Sequence, residues 1–209
     1  DVPLASDHPD FEILWWVGCA GSFDRRAQKV TQAIAKLLLK AGVNFAVLGP
    51  NECCTGDSAR RLGDEFLFQE LAEKNHSTLK QHSVRKILTQ CPHCLNSLTH
   101  DYPQFGDQFE VVHHTEFLQQ LIDEGKLTAP KRNGSVTYHD PCYLARVNGV
   151  HQAPRDLLGD GVSEMEQRRE KTFCCGAGGG RMWMEEEADQ RVSVLRAREA
   201  VETGAETVA

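Results

Sequence analysis

Short apolar bursts alternate along the chain with longer stretches in which apolar residues recur every three or four positions. That alternation predicts strands and helices in turn. Ile13, Leu14, Trp15, Trp16 and Val17 read as a buried strand that delivers Gly18 and Cys19 at its carboxyl end. Val30, Ile34, Leu37, Leu38 and Ala41 follow at helical spacing, with Gly42 as the stop. Residues 45–48 predict a second strand, ending at Gly49-Pro50 and a loop that carries Cys53-Cys54-Thr55-Gly56. A polar-rich helix bearing Phe66, Leu67 and Leu71 comes next, with a break expected near Asn75. Residues 84–88 form a third strand, and Cys91 sits where it gives way to a helix through Leu95 and Leu98. Residues 109–113 predict a short strand before a helix over 116–124.

After a polar linker at 128–134 the order restarts. A strand at 135–138 ends at His139-Asp140-Pro141-Cys142, which parallels Trp16-Val17-Gly18-Cys19. Helical residues at 153–158 lead to a weak strand at 162–165 and then to Thr172-Phe173-Cys174-Cys175-Gly176. A helix over 185–203 matches the one after Cys54, and residues 206–209 begin a strand equivalent to 84–88. Strands alternating with helices argue for βαβ units and a parallel sheet. The expected fold is therefore α/β, built from duplicated Rossmann-like βαβ units. Residues 1–128 form the first repeat and 129–209 the second.

Composition narrows the function classes. With 209 residues, 40% hydrophobic and 25% charged, the chain is an ordinary globular one rather than disordered or collagenous. Its apolar bursts fall far short of the roughly 20 residues that span a bilayer. A net charge of −7 offers no footprint for nucleic acid or anionic lipid. The chain shows no signal-peptide pattern and opens on Asp1 rather than Met, and is read as a segment of a longer protein.

Eight cysteines then become the informative feature. They are too few for a disulfide-stapled scaffold in a chain this long, so metal or redox chemistry is the better expectation. Cys19, Cys53, Cys54, Cys91 and Cys94 form a first series, CX33CCX36CXXC; Cys142, Cys174 and Cys175 form a second, CX31CC. Repeating the first spacing after Cys175 would put a further CXXC near position 212, beyond Ala209. Each cysteine loop of the first series follows a strand, so five thiols converge at the carboxyl edge of the sheet, where α/β ligands bind. Soft thiolates crowded together suit iron or zinc. Adjacent cysteines bond to each other only with strain, yet both can reach one polynuclear centre. Zinc takes four ligands, commonly from two CXXC-like pairs, whereas an iron–sulfur cluster accommodates five sulfurs and a vicinal pair. A structural zinc domain stays open as an alternative. So does a thiol-disulfide oxidoreductase using Cys91 and Cys94, although that leaves six cysteines unexplained and has only Pro130 or Pro154 as a companion cis-proline.

The two series, with Trp16-Val17-Gly18-Cys19-Ala20-Gly21, His139-Asp140-Pro141-Cys142-Tyr143-Leu144 and Cys174-Cys175-Gly176-Ala177-Gly178-Gly179-Gly180, resemble the duplicated cysteine-rich CCG domain of the heterodisulfide reductase B-subunit type. The wording is most similar to the subunits of electron-transfer-flavoprotein:quinone oxidoreductases, and the module also occurs in glycolate and lactate oxidation systems. The resemblance implies a noncubane four-iron four-sulfur (4Fe-4S) cluster on Cys19, Cys53, Cys54, Cys91 and Cys94. Cys142, Cys174 and Cys175 would supply part of a second. It further implies electron passage from an electron-transfer flavoprotein or dehydrogenase subunit to a quinone or disulfide acceptor. A ferredoxin-like domain would lie N-terminal in the same protein, in a cytoplasmic setting, at the membrane face where other domains attach it. Thr55 before Gly56 is a minor departure from the pattern; the missing second CXXC is a major one.

Several other residues invite a role and have a plainer reading beside it. Gly176 to Gly180 lack the Lys-Ser/Thr of a P-loop and are read as backbone brought close to a cluster, with N–H groups for its sulfurs. His93, His113, His114 and His139 are candidates for proton donors or ligands, with hydrogen-bonded or surface histidines as the plainer account. Arg25, Arg26, Arg60, Arg61 and Arg146 could balance thiolate charge, but a solvated helix face is the simpler expectation. Trp15 and Trp16 read as core, and Trp183 as packing on a helix or shielding the second site.

Overall fold

The computed structural model describes residues 2–129, 131 and 134–209. Pro130 and part of the expected linker lie outside them. The chain divides into two compact units, Asp1–Thr128 and Ala129–Ala209.

In the first unit, strand β1 (Ile13–Trp16) leads through α1 (Gly18–Phe23) and α2 (Arg25–Lys40) to β2 (Phe45–Ala46). Helices α3 (Asp57–Arg61) and α4 (Glu65–Gln81) return the chain to β3 (Lys86–Thr89). Next come α5 (Pro92–Asn96), β4 (Glu110–His113) and α6 (His114–Asp123). Among the described residues these strands form one sheet in the order β2-β1-β3-β4, every pair parallel. Leu14 is the register point of the centre, paired with Ala46 on one side and Ile87 on the other. A strand held between two parallel neighbours is covered on both faces, which is why Ile13, Leu14, Trp15 and Trp16 are all buried. The tryptophans are core, as expected.

Helix boundaries follow ordinary capping chemistry. Asp24 caps α2 by accepting the N–H groups of Arg26 at 3.0 Å and Ala27 at 2.7 Å. Ile34, Ala35 and Leu38 face the core, while Val30, expected on that stripe, is half exposed. The expected break in α4 is absent: the helix runs unbroken from Glu65 to Gln81. Its buried stripe is Phe68, Ala72, Asn75, His76 and Leu79, and Phe66 stands 89% exposed. A polar residue in the middle of the stripe looks like an interruption in sequence, but Asn75 points inward because buried partners satisfy it. Beyond α5 the backbone loosens to a π-turn over Ser97–Asp101 and a 3-10 turn over Tyr102–Phe105.

In the second unit β5 (Val136–Thr137) is followed by α7 (Ala153–Leu158), α8 (Val192–Glu202) and β6 (Thr207–Val208). β5 and β6 pair in parallel, Val136 with Thr207 and Thr137 with Val208. The weak strand expected at 162–165 is reduced to a single bridge between Val136 and Val162. The helix expected over 185–203 begins only at Val192. Glu185, Glu186, Glu187 and Asp189 ahead of it supply like charges and no apolar stripe, so nothing draws that stretch onto a core.

Replacing Asp24 by Ala is expected to lower stability by about 1 kcal/mol, read as a reduced urea midpoint at unchanged slope.

Candidate metal centre

The strand order reverses direction between β1 and β3, and in an open parallel sheet this opens a crevice at the carboxyl ends of those strands. Cys19 leaves β1 there and Cys91 leaves β3 there, while Cys53 and Cys54 arrive on the loop after β2. A Cβ placed on Gly18 would stand 3.4 Å from Cys94 Sγ and 3.9 Å from Cys91 Cβ, so the first loop lies directly against the CXXC turn. Those distances are ordinary contacts, so it is the φ of 78° that calls for glycine here. Thr55, fully buried, directs its hydroxyl at Cys94 Sγ across 3.8 Å, bringing the second loop to the same place.

The five thiols of the first unit are thus brought together, with Cys19 exposed, Cys53, Cys54 and Cys91 half-buried and Cys94 buried. Cys19 and Cys54 titrate as a pair of neighbouring thiols, as do Cys91 and Cys94. The interaction splits each pair. Hydrogen bonding from Cys54 lowers the Cys19 pKa to about 6, against burial, and Cys54 is correspondingly raised. Hydrogen bonding from Cys94, with help from the Cys94 and His93 N–H groups, brings Cys91 to about 7, and Cys94 is pushed well up. Among the described residues no three His, Cys, Asp or Glu side chains close on one point as ligands of a single ion do. Cys19, Cys53 and Cys54 also line a cavity of about 250 Å³ with Val17, Phe23 and Glu52. Soft sulfur donors from three loops, two of them ready thiolates near neutral pH, suit an iron–sulfide centre.

Four residues that no sequence motif flags hold these loops. Glu52 accepts the Val17 N–H at 3.0 Å and the Gly18 N–H at 2.6 Å, tying the second loop to the first. Burial pushes its pKa up to about 7 despite those two donors. Asn75 donates to the Cys54 carbonyl at 2.9 Å and to the Tyr102 hydroxyl at 3.0 Å, and its Oδ1 accepts the Cys53 N–H at 3.4 Å. Tyr102 in turn donates to the Thr55 carbonyl at 3.2 Å. Asp57, buried at the start of α3, receives His93 Nδ1 at 2.7 Å and Arg61 Nε at 3.2 Å. Burial disfavours the charged imidazole of His93, yet Asp57 outweighs it and raises the pKa. The signal for Asn75 was its position on the stripe formed by Phe68, Ala72 and Leu79, where a polar side chain must find buried partners.

The remaining candidates sort themselves by contact. His113 is buried, bonded to Thr115 at 2.8 Å and to the Gln90 carbonyl at 3.3 Å, and burial lowers its pKa to about 3. His114, half-buried, packs on it and is lowered by burial to about 4, so both rings are neutral. Arg61 is exposed, as a solvated face predicts, and Arg60 half-buried; both also pair with Asp101, and Arg60 lies over the Phe68 ring. Arg25 and Arg26 are exposed.

In the second unit Cys142, Cys174 and Cys175 are all half-buried. Burial, then the charges of Cys174 and Cys175, raise the Cys142 pKa, so these three thiols sense one another. The Gly176 N–H points at Cys174 Sγ across 3.4 Å, as the Gly56 N–H points at Cys54 Sγ across 3.5 Å. Both glycines have positive φ and abut a later helix, Gly176 at Val192 of α8 and Gly56 at Phe68 of α4. The loop ahead of Cys142 hangs on Asp140, fully buried and gripped by both terminal nitrogens of Arg155 at 2.8 and 2.7 Å. Glu164 and the Arg169 N–H complete that network. Burial opposes ionisation of Asp140, but Arg155 and the Arg169 N–H hold its pKa below the usual carboxylate value. Arg196 donates to His139 at 2.8 Å, and Arg146, exposed as expected, also reaches the Thr172 carbonyl. Trp183 shields nothing, standing 72% exposed.

A parallel α/β layer whose switch-point crevice collects thiols from three loops defines a Rossmann-like, cysteine-rich domain. The chain belongs to the CCG cysteine-rich domain family, which it matches over residues 13–99 and again over 136–209. It is 49% identical to a probable iron-sulfur-binding oxidoreductase of Bacillus subtilis, over 95% of this chain and 29% of the relative. Identity to the EtfAB:quinone oxidoreductase of Syntrophomonas wolfei is 50%, over 88% of this chain and 26% of the relative. Identity to a dihydromethanophenazine:CoB–CoM heterodisulfide reductase subunit of Methanosarcina mazei is 39%, over 81% of this chain and 44% of the relative. The chain therefore spans less than a third of the length of the first two relatives. No solved structure matches it. Among the described residues no helix is long and apolar enough to cross a membrane.

In the metal-free chain, alkylation of Cys19 and Cys91 is expected to rise with pH through about 6 and 7 respectively, with Cys54 and Cys94 unreactive there. Site-resolved mass spectrometry across pH 5–9, a range chosen on the order of two units around each thiol, checks this. Separately, Arg155→Met leaves Asp140 buried without its cation and is expected to cost about 3–5 kcal/mol in urea unfolding. Asp140 contributes stability above its unfolded pKa, and that contribution is lost as pH falls through the lower folded value.

Proposed function

We propose that the chain is an iron–sulfur electron-transfer module of a larger oxidoreductase. Cys19, Cys53, Cys54, Cys91 and Cys94 are its first ligand set, and the cluster is of the noncubane 4Fe-4S type. The observation that supports this reading is that Cys19, Cys54, Cys91 and Cys94, from three loops at the β1/β3 crevice, lie near enough to perturb one another, with Cys53 on the cavity wall beside Cys19 and Cys54. Such a cluster, when bound, accepts and passes on electrons. The chain's own residues present the sulfurs, with Cys19 exposed on a cavity wall and Cys94 buried behind. Names of relatives support the assignment: one is an iron-sulfur-binding oxidoreductase, another an EtfAB:quinone oxidoreductase, a third a heterodisulfide reductase subunit.

Cys142, Cys174 and Cys175 are proposed as part of a second ligand set. Their mutual proximity supports this. The electron donor is proposed to be an electron-transfer flavoprotein or dehydrogenase subunit, and the acceptor a quinone or a disulfide. A ferredoxin-like domain in the same protein and a cytoplasmic setting at a membrane face belong to the same proposal. One observation favours dithiol exchange as a second reading: Cys91 is held near a neutral pKa while Cys94 is raised and buried, the asymmetry of a reactive CXXC. Pro154, named as a companion proline for that chemistry, opens α7 through a trans bond.

Anaerobic reconstitution with iron and sulfide, followed by metal and acid-labile sulfide analysis, is expected to give iron and sulfide together. Zinc bound without either would overturn the assignment. Electron paramagnetic resonance of Cys53→Ser and Cys54→Ser is expected to show an altered or lost signal, and an unchanged one removes that residue from the ligand set.

A further inference from the structure

We infer that Asn75 and Tyr102 are positioning residues for the Cys53–Cys54 ligand pair, and that they set the redox properties of the centre without touching it as ligands. This rests on the cluster reading above. The peptide groups around the adjacent cysteines lie at the carboxyl end of β2, past the last sheet pairing at Ala46, so the ladder satisfies none of them. Asn75 takes two in one grip: its Oδ1 receives the Cys53 N–H and its Nδ2 donates to the Cys54 carbonyl. The same Nδ2 donates to Tyr102, whose hydroxyl passes its own hydrogen to the Thr55 carbonyl. Three consecutive residues, Cys53, Cys54 and Thr55, thereby have a backbone group fixed by two side chains that are both fully buried.

The anchors come from rigid ground. Asn75 lies in the middle of α4, and Tyr102 packs in the same core cluster as Trp16, Phe68 and Cys94. Neither can follow the loop if it moves. Fixing these peptides fixes the direction of both Cα–Cβ bonds of the pair, and with them the paths of the two sulfurs. It also leaves the Gly56 N–H aimed at Cys54 Sγ, a donor of the kind that raises the potential of an iron–sulfur centre. Partners behind a ligand govern metal affinity and potential in this way at many sites. His76 supplies an internal control. It sits one position further along the same helix and is also buried, but its ring receives the Asp107 N–H and grips no cysteine loop.

The test uses the full chain in two states. In the metal-free state, Asn75→Leu and Tyr102→Phe are expected to speed alkylation of Cys53 about fivefold, the change that follows from losing one ordinary hydrogen bond from a closed loop. His76→Gln is expected to leave the rate at the parent value. In the reconstituted state the first two variants are expected to bind iron, to shift the paramagnetic signal and to lower the midpoint potential, again with His76→Gln unchanged. Tyr102→Phe removes a single oxygen from a packed ring, so it reports even if Asn75→Leu fails to fold. Parent-like alkylation, signal and potential in Tyr102→Phe would overturn the inference, as would equal shifts in His76→Gln, which would mark a general loosening of the core. A parent chain that takes up no iron and sulfide overturns the cluster reading itself, whereas altered alkylation without it retains the positioning role and removes only the redox one.

Discussion

The arrangement of the first unit depends on β1 lying between β2 and β3 in parallel register. Leu14 is the hinge of that register, facing Ala46 and Ile87 at once. A parallel neighbour on each side means that successive crossovers return to the same edge, and the chain leaves all three strands in one direction. The loops that follow must then share a confined space. Here they share it through sulfur, and the loop after β1 turns against the CXXC turn through Gly18, whose φ of 78° is one that side-chain-bearing residues rarely adopt.

Crowding those loops creates a second problem, since their peptide groups are buried beyond the ladder that satisfies the rest of the strand. Buried donors and acceptors without partners cost about 1–3 kcal/mol each. Glu52 answers for Val17 and Gly18, Asn75 for Cys53 and Cys54, Tyr102 for Thr55, and the Thr89 hydroxyl for the Cys91 N–H. These partners are side chains of fixed elements or of the neighbouring loop, so the loops are locked to one another as well as to the core. The second unit solves the equivalent problem with charge. Asp140 and Arg155, both buried, pin the loop ahead of Cys142, and the ion pair brings Glu164 and a backbone N–H into the same network. A buried pair of that sort is weak as a source of stability but strict about geometry, because desolvated charges must keep every partner they have, here Glu164 and the Arg169 N–H as well as each other.

Much of this is legible in the sequence. Alternating apolar bursts and helical stripes carry the element order of the first unit, and the strand-then-cysteine pattern places its thiols on one edge. The departures have identifiable reasons. Phe66, Leu67 and Leu71 look like the inner face of α4 because they are apolar, but the stripe that packs is set one residue over, at Phe68, Ala72, Asn75 and Leu79. Counting apolar residues cannot recognise a stripe that contains an asparagine. The acidic run ahead of α8 has the propensity of a helix, although helix formation on a protein surface needs an apolar face to dock. Arg61 and Arg146 are exposed as a solvated face predicts, and Arg60 is half-buried, but the contacts they also make are not local. Their partners at Asp101 and Thr172 lie far along the chain, 40 residues from Arg61 and 26 from Arg146, a separation that no local pattern reports.

The two halves also show how a shared motif is met by different local means. In each, a glycine at positive φ turns the chain from the adjacent cysteines toward the next helix and lends its N–H to a cysteine sulfur. In the first half the sulfur belongs to Cys54, the second of its pair, and in the other half it belongs to Cys174, the first of its pair. The single inserted residue, Thr55, accounts for the offset. It occupies the position that Cys175 holds relative to the glycine, and there it supplies a hydroxyl aimed at Cys94 in place of a thiol. A one-residue departure that looks minor in sequence therefore adds a buried hydroxyl, aimed at Cys94, between the adjacent cysteines and the glycine. Similar cysteine spacing does not make the two thiol groups chemically equivalent.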